Sequence, residues 1–252
     1  MNLRYKPSHY VIVLWAGLFS LAVACCLALT GMVTWPWLLG TWLVYSFMAM
    51  TNSAGFHRLF AHRSYKTHPF WEWFLLITGT LSCYGSSFQW TVVHSQHHKF
   101  SDTDKDPHRF GHWTEMFKSN YMIEKISMSA KRYVKHLLKK PGHKWIHNHY
   151  WAIPASFAMI LGFLSLKVLL FLYMAPLGLV IFSAALFNYI SHGESGPNNS
   201  AFYSLQASGE WRHKLHHDKP HLWDLREKWY HIDASAYFIA LIRKRPSYHF
   251  DK

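Results

Sequence analysis

The 252-residue chain is half apolar and 18% aromatic, yet its mean hydropathy is only −0.05, so the apolar residues must be gathered in blocks. Its formal net charge of +13, from 26 Lys and Arg against 13 Asp and Glu, first suggests a nucleic-acid binder. The placement of the charges excludes that reading. It also excludes an ordinary soluble domain, which carries charge on every exposed helix face.

No charged residue lies between Lys6 and Arg58, between Lys144 and Lys167, or between Lys167 and Glu194. A helix needs about 20 mostly apolar residues to cross a bilayer. Residues 10–31 read as a first span, Thr34-Trp35-Pro36-Trp37 as a tight interfacial turn, and residues 37–57 as a second span ending at His57. The first apolar stretch is longer than the core of a cleavable signal, and a second span follows at once, so it is expected to stay in the chain. Residues 70–93 read as one amphipathic, half-buried interfacial helix. Residues 99–150 are polar and basic, with a Lys-rich helical segment near 124–140, and 58–150 as a whole is expected on the cytoplasmic side. A second hairpin is expected over 151–167 and 172–192, turning near Lys167, and residues 193–252 are polar again. The expectation is therefore one domain over 1–252. It is an all-α integral-membrane protein with four spans in two hairpins, interfacial helices, and a helical cap. Of the 26 basic residues, 25 lie outside the spans and short turns, which places both termini and the cap in the cytoplasm. Cys25, Cys26 and Cys83 sit in apolar stretches and are expected to be buried, with no disulfide framework.

Twenty histidines are present, and their spacing matters more than their number. His57 and His62 lie in GFHRLFAHRSYK. His94, His97 and His98 lie in WTVVHSQHHKF, and His213, His216 and His217 in GEWRHKLHH. Each HxxHH run puts three imidazoles on one face of a helix. Asn188 and His192 are spaced i, i+4 at the end of the last span. All of these fall at one depth, near the cytoplasmic boundary. Neutral imidazole is the common nitrogen ligand of transition metals, and eight or nine such ligands exceed what one six-coordinate ion uses. Two metals are therefore implied, and so many polar rings beside hydrocarbon are unfavourable unless something binds them. His108 and His221 read as neighbours of the ligands or as structural residues. His9, His68, His112, His136, His143, His147, His149, His231 and His249 read as structural.

At these residues the chain resembles the membrane fatty acyl desaturases, most of all the stearoyl-CoA Δ9 type. HRLFAH, HSQHH with the trailing KFSDTDKDPH, and GEWRHKLHH match the three family boxes in identity, order and separation. Asn188 and His192 match an additional ligand pair, and KWYHIDASAYFIALIRK resembles the closing segment, so the likeness covers roughly residues 40–245. The resemblance implies that His57, His62, His94, His97, His98, His192, His213, His216 and His217 hold two iron ions, ferrous in the reduced form, with Asn188 joining through water. It implies no catalytic residues beyond the metal ligands. It also implies that Tyr45 and Ala49, one turn apart, close an acyl tunnel, and that Trp90 flanks its bend. Plain core packing is the alternative for these three.

The implied activity is O2-dependent insertion of a cis, Δ9-like double bond into a saturated acyl chain. The partners implied are an acyl substrate on CoA, acyl carrier protein or lipid, and a separate donor of the ferredoxin or cytochrome b5 type. No fused cytochrome b5 domain is expected within these 252 residues, and they carry no flavin or nicotinamide fingerprint. The chain departs from the pattern at Val92-Val93, where acyl-CoA enzymes carry an Arg-Asp pair, and at Trp211-Arg212 and Lys214-Leu215 around the third box. A same-scaffold hydroxylase or ketolase, a b-type haem electron carrier and a metal transporter are the alternatives. The boundary position of the histidines argues against the haem carrier, and the absence of acidic residues in the spans argues against the transporter. The expected location is a bacterial inner membrane, with the endoplasmic reticulum as the other option.

Overall fold

The structure is a computed structural model, and it describes residues 7–108, 130–193, 196–199 and 208–244. It is built almost wholly of helices. Helix α1, Pro7–Leu29, ends at Gly31, whose φ of 71° is the left-handed conformation that glycine adopts freely after a helix. Helix α2, Trp35–Asn52, starts with Pro36 in its first turn and runs directly into a π-helix, Ser53–Ala61. Helix α3 is Pro69–Leu81 and α4 is Ser87–Phe100. Beyond residue 130 come a 3₁₀ turn, Ala130–Val134, then α5 (Lys135–Leu138), α6 (Pro141–Asn148) and α7 (Ala152–Leu164). Helix α8, Leu166–Leu169, passes through a π turn, Leu170–Met174, into α9, Ala175–Ser191. Two-residue strands β1 (His192–Gly193) and β2 (Gly196–Pro197) pair antiparallel. Helices α10 (His213–Asp218) and α11 (Ala234–Ile242) complete the order.

Among the described residues, two helical stretches are long and apolar enough to cross a membrane, Ile12–Leu29 and Leu166–Ser191. They pack on each other in the most extensive helix pair of the molecule. Gly17 and Gly178 meet at their crossing, where a side chain on either would run into the other's backbone. Small residues allow this close approach, as they do between helices in lipid. Helix α2 lies against the same pair, and Thr41 donates 2.8 Å to the Phe171 carbonyl inside the π turn. The remaining boundaries shift from the expected ones. The apolar helix Ala152–Leu164 has 13 residues and stops at Ser165, which caps α8, so the break comes two residues before Lys167.

Two sequence expectations are corrected. The stretch 70–93 is two helices, because Cys83 and Gly85 take positive φ and Ser86 and Gln89 form a capping box that starts a new helix. Only α3 is interfacial in character, exposing Phe70, Trp73 and Ile77; the first half of α4 is buried. Cys25 and Cys26 are exposed on the outer face of α1, and only Cys83 is buried. The Lys-rich segment is helical from residue 130 on, and its first part, 124–129, lies outside the described residues.

Two large apolar clusters dominate the core of the described residues, beside a smaller one of Ala24, Phe171 and Ala175. One, including Leu14, Tyr45, Met48, Tyr173, Leu177 and Ile181, fills the space between α1, α2 and α9. The other, including Phe56, Phe60, Leu75, Phe88, Val92 and Ile239, joins the first π-helix to α3, α4 and α11. The histidines sit next to this second cluster. The chain after α11 is stitched back to the end of the first box, with Lys244 N donating 2.7 Å to the Lys66 carbonyl.

Candidate metal centre

Four elements bring nine imidazoles together. The first is the π-helix. Five residues make about 1.4 turns of an α-helix, which would turn His62 well away from His57. A π-helix closes i→i+5 hydrogen bonds and puts residue i+5 over residue i. The His62 amide donates 3.1 Å to the His57 carbonyl, and the two rings lie 4.9 Å apart, centre to centre. Helix α4 carries His94, His97 and His98 on one face, and the short α10 carries His213, His216 and His217 likewise, as the HxxHH spacing predicts. His192 departs from expectation: α9 ends at Ser191, so this ring is presented from β1 just beyond the helix that holds Asn188.

The rings fall into two sets. His57, His62, His94, His98 and His216 form one, and His97, His192, His213 and His217 the other. Within each set the candidate ligand atoms all lie within 4.8 Å of one another. In the first set the Nε2 atoms of His57 and His216 are 2.9 Å apart, those of His62 and His94 2.7 Å, and those of His98 and His216 2.8 Å. In the second, His97 to His217 is 3.2 Å, His192 to His213 2.8 Å and His213 to His217 3.0 Å. Metal–nitrogen bonds of about 2.0–2.1 Å at right angles leave neighbouring nitrogens about 3 Å apart, so these are the edge lengths of a coordination polyhedron.

Hydrogen bonding among the rings does not explain the spacing. His57 Nδ1 lies 3.0 Å from Glu210, His97 Nδ1 2.8 Å from Asp106, and His192 Nδ1 2.9 Å from Asp102. A carboxylate accepts only, so these Nδ1 atoms carry the hydrogen and the Nε2 atoms face inward as lone pairs. In the second set three close pairs then need three N–H donors, and only His213 and His217 have one to give. A cation between the lone pairs resolves this. The carboxylates fix tautomer and ring orientation, as outer partners of metal-bound imidazoles do. Burial holds His94, His97, His213 and His216 well below the ordinary imidazole value, and neighbouring rings act the same way. His98 is pushed down to about 3 for the same reasons. All are neutral and competent as ligands at pH 7.

Sequence reading missed the groups that hold these rings, although it quoted the motifs containing them. Asp106 also accepts from the His108 and Asp102 amides, so the loop after α4 folds around the carboxylate that orients His97. Burial would raise the Glu210 carboxyl, but the His57 ring, the Arg58 guanidinium and a Ser53 hydroxyl hold it at about 2. Arg58 is fully buried; it pairs with Glu210 at 3.2 Å and Asp233 at 2.8 Å and donates 2.8 Å to the Trp223 carbonyl. Asp233 in turn caps α11 through the Ala236 amide. Gly209 has φ of 97° and packs against the Asp233 carboxylate where any side chain would collide. One buried arginine thus ties the first box, the third box and the closing helix together.

One cavity abuts both sets. Ala49, Trp90, Val180, Ala184 and Phe187 give it apolar walls, and Asn188 lines it beside His97 and His213. Tyr45 is outside that wall; it is buried and hydrogen-bonded to Ser183, which does line the cavity. His108 also lines it, with its ring 4.9 Å from His97, whereas His221 is exposed and belongs to neither set. The histidines expected to be structural have structural partners. His68 caps α3, His136 bonds the Phe60 carbonyl, His143 joins Ser87 to Glu72, His147 bonds Ser86, His149 the Trp145 carbonyl, and His231 accepts from two amides. His112 and His249, and the side chain of His9, lie outside the described residues.

No protein-family model matches the chain. Curated relatives do. Stearoyl-CoA desaturase of Homo sapiens is 28% identical over 270 residues, covering 92% of this chain and 72% of the relative. Stearoyl-CoA desaturase of Sus scrofa is 30% identical over 234 residues, covering 80% and 62%. The sn-1 stearoyl-lipid 9-desaturase of Synechocystis sp. is 29% identical over 201 residues, covering 75% and 63%. The chain thus spans about three fifths of the length of the last two.

Proposed function

We propose, from the premise that this chain belongs to the fatty acyl desaturase family, that it inserts a cis double bond into a saturated acyl chain at a centre of two irons, using O2 and external electrons. The observation that carries the reading is the convergence of nine imidazoles in two sets against one apolar cavity. His57, His62, His94, His98 and His216 would hold one ion, and His97, His192, His213 and His217 the other, with Asn188 joining the second through water. When bound, the metals supply the activation of O2 that removal of hydrogen from unactivated methylenes requires.

The protein's share is positioning. Trp90 stacks on His94, with ring centres 4.7 Å apart, and would set where an acyl chain passes the ligands. Val180, Ala184 and Phe187 keep water from the chain, and Ala49 leaves room for it. Tyr45 backs this wall through Ser183 and would limit how far the chain enters, which is the basis for a Δ9-like product. Glu210, Asp106 and Asp102 keep the Nδ1 hydrogens of His57, His97 and His192 in place. Val92 and Val93 are buried. They offer no charge to a CoA headgroup, so the acyl carrier is held differently from an enzyme with an Arg-Asp pair there.

The reading includes four membrane spans. Helix α2, of 18 residues, is about 27 Å long and exposes Trp35, Leu38, Leu39, Trp42, Leu43 and Phe47 outward. Helix α7 exposes Met159, Ile160, Phe163 and Leu164. Lipid is the solvent that suits both. The metal layer and both termini lie on the cytoplasmic side, and the donor is a separate electron carrier.

The test is fatty-acid profiling by gas chromatography–mass spectrometry in a host lacking its own desaturase, with His97→Ala as control. A monounsaturated acid that disappears in the variant is expected. A hydroxylated acid would move the protein to the sister chemistry, and an unchanged profile from metal-loaded, reduced protein would remove the acyl substrate from the reading.

A further inference from the structure

A second cleft lies beside the metal layer and shares no lining residue with the acyl cavity. Its rim is formed by Arg63, Arg132, Lys135 and Lys139, and Ala61 and Ser95 line it as well. Among the described residues no Asp or Glu lines it, and none of the four cations forms an ion pair. Other cations of this chain are neutralised locally: Lys140 pairs with Glu72, Arg226 with Asp224, and Arg58 with two carboxylates. Four like charges around one concavity repel each other until an anionic surface arrives, and such a concavity steers one in.

We propose that this cleft is the docking site of a small electron-carrier protein whose cofactor edge is ringed by carboxylates; the proposal rests on the desaturase reading above. The position of the cleft is the second argument. Ala61 immediately precedes His62, and Ser95 immediately follows His94. Both histidines belong to the same ligand set, with ring centres 4.7 Å apart. A carrier seated here is separated from the ligands by one residue of backbone on two elements. The phosphates of an acyl carrier are the other anion to consider. They must sit at the mouth of the acyl cavity, and the cleft has no wall in common with that cavity.

The electron balance requires such an entry point. Reduction of O2 to two waters takes four electrons. The two C–H bonds that become a double bond yield two, and two reduced carriers deliver the others, one each; two of the four protons come from the substrate and two from solvent. One-electron carriers must bind and leave twice per turnover. Electrostatic docking suits this, because it raises the association rate more than the affinity.

The test uses the full-length holoprotein, an acidic ferredoxin as probe, and a triple variant, Arg132→Glu with Lys135→Glu and Lys139→Glu. These three side chains are exposed, so the fold is retained. Stopped-flow reoxidation of reduced ferredoxin at low salt is expected to slow by about tenfold or more in the variant and to lose most of its salt dependence. Binding of oxidised ferredoxin to the metal-free protein is expected to weaken in parallel. Reduction by dithionite, which needs no docking, is expected to be unchanged. Equal ferredoxin rates in variant and parent, with normal dithionite reduction, would overturn the docking site alone. A variant that instead raised KM for the acyl substrate at an unchanged ferredoxin rate would overturn it in favour of a phosphate site. A parent protein that dithionite cannot reduce would count against the desaturase reading itself, and the proposal would fall with it.

Discussion

At the scale of single residues, the two ring sets are oriented by carboxylates that belong to neither set. Asp106 and Glu210 hold the Nδ1 hydrogens of His97 and His57. Asp106→Asn and Glu210→Gln keep the volume but lose the charge that fixes each tautomer. Each is expected to weaken metal binding by about 10–100-fold, measured by competition with a chelator. Retention of full affinity would show that helix packing alone orients the rings. Arg58 works differently. It is a buried cation between two acids, and Arg58→Met leaves Asp233 and Glu210 unneutralised. Breaking a buried pair from one side costs about 3–5 kcal/mol, so loss of the folded protein on extraction is expected, while Arg58→Lys retains part of the stability.

At the scale of elements, the first π-helix sets the geometry of the first box. Inserting one residue into Arg58–Ala61 would set the two histidines six apart, on different faces of either an α-helix or a π-helix. His62 would then leave the ring of five. Loss of one metal per chain is expected, read by elemental analysis of the purified variant, with helix content by circular dichroism unchanged. The α1–α9 crossing is the second element-level contact to test. Gly178→Leu forces the helices apart where backbone now meets backbone, and a loss of about 1–3 kcal/mol or more in unfolding stability in detergent is expected.

These two elements also mark how far the sequence could be read. The HxxHH runs were legible as helical faces because i, i+3 and i+4 coincide on any α-helix, and both runs lie on helices in the structure. HxxxxH was legible as a motif but not as a geometry, because a π-helix has no composition of its own. The break at Ser82–Ser86 was hidden for a related reason: its neighbours are apolar on both sides, and only the Ser86…Gln89 spacing signalled a new start. Asp102, Asp106 and Glu210 lay inside the quoted motifs, but which ring each would face is decided by loops that bring residues 9, 90 and 153 positions apart into contact. Arg58 and Asp233 are 175 positions apart, and no local pattern joins them.

At the scale of the whole molecule, the buried neutral histidines make the metal-free protein sensitive to acid. His98 is held at about 3 and His147 at about 4, against an ordinary value near 6.5. The unfolded chain therefore takes up protons that the folded one refuses, and stability falls as pH drops below about 6.5 towards those values. Glu72, held at about 2, acts in the same direction below about 4.5. Thermal unfolding of the metal-free protein across pH 4–8 is expected to show a midpoint that falls steadily below pH 6.5. A midpoint independent of pH would mean that the rings are not buried as described.

The central claim is that the two histidine sets each hold one metal. The most direct measurement is iron per chain by elemental analysis of the purified protein, beside a variant of the second set alone, His213→Ala with His217→Ala. Two irons in the parent and one in the variant are expected. One iron or none in a fully loaded parent, or two retained in the variant, would contradict the two-set site and the chemistry built on it.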